Sequence, residues 1–305
     1  LGADVVLNGD FEETGADQIT NGDFSQEGSE EITNGDFATD SDWTKGGGAT
    51  ISGGKGNIIG DGSLFTNLTQ TNVFTIGKTY KVTVDVTINS GLGLKFQDGA
   101  TDSNFGTATT SGSYTFYGVA NNSTFVIGRK DGATAFDSSI DNVSVVEVGQ
   151  NWSLGTGWSI GDDKVTIDGS GGNISNLSQN IGVLPSKSYK VSFSVSDFTA
   201  GDFRVSVGSQ QYSAFSDTNG DYVYYITTGA PNTGVNPTFY LQGVNSAEFS
   251  VTNITVEEVG QEWTLSDGVS ITAQGARITS DGTYQYITQA NAFVIGDTYE
   301  IEYEI

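Results

Sequence analysis

The sequence predicts an all-β protein: tandem antiparallel β-sandwich (jelly-roll) domains preceded by an extended repeat segment. Three observations predict it. Segments of strand length alternate strictly between apolar and polar residues, a block of about 111 residues recurs, and Gly, Asn and Asp cluster between the alternating segments. Charged residues make up only 16% of the chain while Gly accounts for 42 of 305 residues, which suits sheet surfaces and turns better than solvated helices.

The first element, residues 1–33, carries a 13-residue repeat. Leu7-Asn8-Gly9-Asp10-Phe11 returns as Thr20-Asn21-Gly22-Asp23-Phe24, and the next copy is Thr33-Asn34-Gly35-Asp36-Phe37. Each copy has a short apolar stretch, an Asn-Gly pair suited to a positive-φ turn, and a Phe that needs burial. One Phe per 13 residues makes no core, so the first two copies are expected to dock on the following domain, a neighbouring chain or a symmetric partner. Phe11 and Phe24 are therefore the candidate assembly residues.

The next elements are a first sandwich over residues 34–150, a second over 151–261 and an incomplete third over 262–305. The joints come from a recurring segment: Asp141-Asn142-Val143-Ser144-Val145 through Gln150 returns as Thr252-Asn253-Ile254-Thr255-Val256 through Gln261, and Trp152 or Trp263 follows. Within each unit a strand recurs, at residues 77–86, 186–195 and 296–305. In the first copy Tyr80, Val82, Val84, Val86 and Ile88 point to one face and Lys81, Thr83, Asp85 and Thr87 to the other, so one face is dry. Further strands are expected at 113–119, 123–129 and 139–148. The chain opens on Leu1 and its third unit stops in mid-strand. It therefore reads as part of a longer polypeptide, or as one whose absent strands another chain supplies.

Composition excludes several classes of function. Thirty-seven acidic residues against twelve basic ones leave a net charge of −25, which opposes binding to nucleic acid or an anionic membrane. No apolar run reaches the roughly 18 residues of a membrane span, and the acidic start is unlike a signal peptide. The chain has no Cys and no His, which removes disulfides, Ser-His-Asp and Cys-His catalysis, and zinc sites built on those ligands. A carboxylate pair could still cleave glycosidic bonds, but no pair is singled out, so a non-enzymatic protein is expected.

Asn34-Gly35-Asp36-Phe37 with Trp43, the strand from Gly77-Lys78-Thr79-Tyr80, and the strand Ser139-Ile140-Asp141-Asn142-Val143-Ser144-Val145 together resemble the jelly-roll carbohydrate-binding modules related to families 4 and 9. Units two and three lack the Asn-Gly-Asp-Phe opening. Such jelly rolls also occur in tandem in bacteriophage tail-fibre and virion-surface proteins, which the short repeats and the missing Cys, His and Met resemble. The resemblance implies a structural Ca2+ joining first and last strands, with Asp36, Asp40, Asp42 and Asp141 as donors beside carbonyls or water. It also implies glycan contact through aromatic faces. Tyr117 and Tyr225 occupy equivalent positions opposite the faces of Tyr114, Phe116, Tyr222 and Tyr224, and with Tyr212 or Phe105 would line a groove. The Asp217–Asp221 stretch spaces oxygens like the start of a calcium loop, against the alternative of a solvated turn, and the tryptophans are expected at domain starts or joints.

The functional expectation is a structural or adhesive bacteriophage component, a fibre, spike or capsid decoration. It would be extracellular on the virion surface, homo-oligomeric with a trimer favoured, and in contact with other virion or surface proteins and with host glycan. The alternatives are a carbohydrate-binding array of a secreted bacterial enzyme or adhesin, and a surface-filament subunit.

Overall fold

The computed structural model describes residues 3–99, 105–130, 134–208, 210–211, 215–229, 236–280 and 282–305. Every regular element among them is a strand and every ladder is antiparallel, as the alternation requires. The chain forms two compact units. One contains residues 23–150 with 159–165, and the other residues 1–22, 151–158 and 166–305.

In the first of these, two sheets face each other. The strand Thr79–Ser90 lies between Gly112–Val119 and Phe136–Val148, and Gly56–Gly60 extends that sheet. The second sheet orders Thr44–Gly46, Asn67–Gln70, Phe125–Arg129, Leu94–Asp98 and Gly106–Ala108. The inward positions fill the interior: Val82, Ile58, Leu68, Leu94, Phe96, Phe125 and Ile127 are all fully buried, as a period of two demands when only one face is dry. Tyr114 and Phe116 pack against this core from the sheet edge, so the parity assigned to them holds.

The second unit contains a sandwich built on two long strands, Ser188–Val207 and Thr238–Val259, which pair along most of their length. Gly220–Thr227 and Ile174–Asn180 flank them. Each long strand turns a corner: register shifts fall at Ser196, Ala200 and Asp202, and Asp197, Gly201, Asn245 and Ser246 take positive φ. Gly201 is required there, since a Cβ would lie 2.5 Å from the Ala247 backbone. In the first sandwich the chain instead breaks between Thr79–Ser90 and Leu94–Asp98, at Gly91 and Gly93. The same unit also carries two two-stranded pairs, Thr264–Leu265 with Ile287–Thr288 and Val269–Thr272 with Gly275–Ile278.

Residues 3–37 form a ribbon that pairs with both sandwiches. Its segment Thr14–Asp17 pairs with the end of Thr238–Val259, and Glu27–Glu30 pairs with the end of Phe136–Val148. The two spare copies of the short repeat thus find their partners inside their own chain.

Candidate functional site

The most elaborate constellation is a ribbon-docking site that occurs three times. Its centre is the tryptophan that opens each unit. The indole N–H of Trp43 donates to the carbonyl of Asn34 at 3.0 Å, that of Trp152 to Asn21 at 2.9 Å, and that of Trp263 to Asn8 at 3.1 Å. The order is reversed along the chain. The third repeat docks at Trp43, the second at Trp152 and the first at Trp263.

A glutamine amide clamps the residue before each Asn on both sides of its peptide. Gln70 accepts from the Thr33 amide and donates to its carbonyl, both at 2.9 Å. Gln179 does the same to Thr20 at 2.7 and 2.9 Å, and Gln289 to Leu7 at 2.9 and 2.8 Å. Gln70 and Gln179 are themselves buried, so these bonds satisfy side chains that would otherwise be costly.

Each residue of the motif has a separate task. Asn takes positive φ, at 48, 56 and 56° for Asn8, Asn21 and Asn34. The Asn8 and Asn34 side chains also reach five residues forward, to the backbones of Glu13 and Thr39. Gly permits close approach: a Cβ on Gly22 would overlap the carbonyl of Ile254, and one on Gly35 that of Val143. In return Ile254 and Val143 each donate a backbone N–H to the glycine carbonyl at 2.9 Å. Asp accepts the amide two residues on, at 3.2 Å in all three copies. In Asp23 the Ser25 hydroxyl and amide hold the carboxyl below its ordinary range.

Phe is the anchor. Phe11 and Phe37 lie with ring centroids 5.4 Å from Trp263 and Trp43 respectively. Phe11, Phe24 and Phe37 take positive φ, unusual for bulky residues, and burial of Phe24 and Phe37 to 2% and 1% exposure compensates that strain.

An acidic residue four positions before Asn fixes the register. The Glu30 carboxylate accepts the Ile32 and Val145 amides at 2.9 and 2.8 Å, and Asp17 accepts those of Ile19 and Val256 at 3.0 and 2.9 Å. Asp4 accepts the Val6 amide at 3.0 Å. On the neighbouring strand Lys81 pairs with Glu27 at 2.6 Å, which raises its pKa.

Phe11 packs on Trp263 of its own chain and Phe24 is buried within its own chain, so docking inside the chain is the arrangement found among the alternatives the repeat left open.

The four acids expected around calcium are not gathered. Asp40 pairs with Lys45, Asp42 accepts the Ser41 hydroxyl, Asp36 accepts the Ala38 amide and Asp141 the Asn142 amide. Among the described residues no three His, Cys, Asp or Glu side chains could jointly hold a metal. In the Asp217–Asp221 stretch Asn219 accepts the Phe198 amide and Asp221 the Ser194 hydroxyl, so its oxygens serve the strands.

The aromatic groove is corrected in part. Phe105 is a core residue, 7% exposed and stacked on Phe74 with centroids 5.0 Å apart, because the dry interior offers it more burial than a surface cleft would. The ring of Tyr117 lies against the backbone of Gly161. Tyr225 lines a cavity of about 250 Å3 with Phe11, Asp10 and Lys190. Tyr212 lies outside the described residues. Trp43, Trp152 and Trp158 are buried, as expected of residues at domain starts.

No protein-family profile matches this chain, and no curated protein matches its sequence. Among solved structures it is similar to the N-terminal CBM22-1-CBM22-2 tandem domain of Paenibacillus barcinonensis Xyn10C, at 12% identity and a TM-score of 0.35, with 76% of this chain and 98% of that one covered. A Paenibacillus xanthan lyase matches at 13% identity and a TM-score of 0.24, covering 72% of this chain and 25% of that one. Allantoicase from Saccharomyces cerevisiae matches at 11% identity and a TM-score of 0.27, covering 63% and 77%. The chain is an all-β protein of antiparallel sandwiches, and its structural neighbours include carbohydrate-binding modules.

Proposed function

We propose that this chain is a non-catalytic structural array, a series of β-sandwiches laced by an N-terminal ribbon, serving as the shaft or display element of an extracellular assembly such as a bacteriophage fibre or virion-surface protein. The reversed docking of the three repeats is the observation that carries this reading. A chain whose first residues are tied to its last unit and whose third repeat is tied to its first unit gains long-range ties that no single sandwich needs, and such ties suit a part that bears load. Light scattering over a wide concentration range tests the fibre reading: a stable homo-oligomer, with a trimer favoured, is expected, and a monomer throughout would overturn it.

A second reading, recognition of host or cell-surface glycan, is favoured by the cavity beside Tyr225. An aromatic ring there adjoins the charged groups Asp10 and Lys190, and sugars are bound by such combinations of an apolar face and polar rim. The cavity is small, at about 250 Å3, which suits one ring rather than a chain. A glycan screen with the parent and Tyr225→Ala decides it, binding lost in the variant being the supporting result and no hits with either the opposing one.

A further inference from the structure

We propose that the cavity beside Tyr225 takes one carboxylated pyranose, a uronic or sialic acid residue, with its carboxylate on the Lys190 ammonium and its ring on Tyr225, which deepens the glycan reading of that site and rests on it. The chain supplies its own comparison, because the first sandwich repeats the same frame. Tyr117 and Lys81 sit opposite each other on paired strands there, as Tyr225 and Lys190 do in the second, and the ribbon has Asp23 and Phe24 in place of Asp10 and Phe11. Ile160 lies against Gly149 as Ile271 does against Gly260, so the neighbouring wall recurs as well.

Two differences close the first copy and open the second. In the first, the Tyr117 ring lies so near Gly161 that a Cβ there would stand 3.1 Å from it. The equivalent of Gly161 is Thr272, whose branched side chain denies Tyr225 the same seat, and Tyr225 instead lines an open space of about 250 Å3. The second difference is electrostatic. Lys81 is held by Glu27 of the ribbon at 2.6 Å. At the matching place in the previous repeat stands Thr14, whose hydroxyl donates to Glu257, the cross-strand neighbour of Lys190. Lys190 itself has no ion pair among the described residues.

The placement of the charges selects the ligand. Lys190 is half-buried, so a carboxylate that reaches it gains more than it would at the surface. Asp10 and Glu12 are exposed, where water and salt screen them, and Asp10 already accepts the Glu12 amide at 3.2 Å. Their remaining oxygens, with the Thr272 hydroxyl, are left to accept sugar hydroxyls. A neutral sugar would gain the stacking on Tyr225 and these hydrogen bonds but leave Lys190 without a counter-ion. A small inorganic anion would gain the charge and forgo the ring.

The test titrates the whole chain with glucose, glucuronic acid and N-acetylneuraminic acid, read by ligand-observed NMR. At least one of the acids is expected to bind about tenfold or more tightly than glucose at low salt, with the gap closing as salt rises. Which acid binds distinguishes a uronate polymer from a sialylated surface as the source. Lys190→Gln should bring the acid down to the affinity of glucose, and Tyr225→Ala should abolish binding of every sugar. Thr14→Glu, at an exposed ribbon position, recreates the ion pair of the first sandwich and should remove the preference for the acid with the fold intact. Glucose binding as tightly as the acids, with binding lost in Tyr225→Ala, would overturn the carboxylate assignment and leave the glycan reading standing. No saturable binding of any sugar would overturn both, and a preference for the acid that survives Lys190→Gln and Thr14→Glu would overturn the part given to Lys190.

Discussion

Gly35→Ala is expected to detach the third repeat from the first sandwich. The added methyl would overlap the backbone carbonyl oxygen of Val143, which cannot rotate away as a side chain can. Ordinary contact is restored only if the ribbon retreats by about an ångström or more. That movement lengthens the Val143 bond to the Gly35 carbonyl, now 2.9 Å, and the Trp43 bond to Asn34, now 3.0 Å, beyond useful range. Each such bond contributes about 1 kcal/mol, and partial withdrawal of Phe37 adds 1 to 2 kcal/mol, so the local cost is about 3 to 4 kcal/mol. Hydrogen exchange is the suitable assay because it reads local opening. Protection across residues 136–148 should fall by about a hundredfold or more. Gly28→Ala is the internal control: its Cβ would meet the Gln150 amide nitrogen at 2.9 Å, the end of a flexible side chain, and should cost less than about 1 kcal/mol. Equal protection in Gly35→Ala and the parent, or equal damage from Gly28→Ala, would refute the reasoning.

Three other outcomes are expected. Gln179→Leu leaves the Thr20 N–H and carbonyl without their partner and should destabilise the second sandwich by about 2 to 4 kcal/mol in chemical denaturation, with the less buried Gln289→Leu costing less. Phe11→Ala should speed cleavage after Glu12 and Glu13 by a glutamate-specific protease, by tenfold or more, while exchange at residues 136–148 is unchanged. Asp61 and Asp168 accept the amide and hydroxyl of Ser63 and Ser170, which lowers both carboxyl pKa values. Their contribution is present above the ordinary carboxylate range and lost as pH falls through the lowered folded values, so carbon-detected NMR should show both titrating lower than an ordinary exposed aspartate, and Ser63→Ala and Ser170→Ala should move them up.

Much of the fold was legible because an alternating strand with one dry face leaves a signature of period two. Tyr80, Val82, Val84 and Val86 could be assigned to the interior from that alone, and so could the parity of Tyr114 and Phe116. The docking sites were visible only in pieces. The short repeats and the tryptophan-led units were each clear, yet nothing local joins Asn8 to Trp263 or Asn21 to Trp152. Periodicity reports neighbours along a strand, not partners across the chain. A count would have helped: three motifs, three opening tryptophans at Trp43, Trp152 and Trp263, and a Gln at matching positions 70, 179 and 289 of every unit. Phe105 was misjudged for a different reason, since an aromatic residue in a loop next to a strand can point either way and only packing decides.

The reversed docking also sets an order of events during synthesis. Asn34 and Trp43 are 9 residues apart, Asn21 and Trp152 are 131 apart, and Asn8 and Trp263 are 255 apart. Loop-closure entropy favours the nearest pair over the farthest by about 3 kcal/mol. The third repeat therefore claims the first tryptophan as soon as that segment leaves the ribosome, favoured by proximity over the two copies already synthesised. The first repeat must wait for some 250 more residues, on the order of 13 to 50 seconds at 5 to 20 residues per second. Each copy is thus occupied in the order opposite to its translation, and the identical motifs are sorted by distance along the chain instead of by sequence.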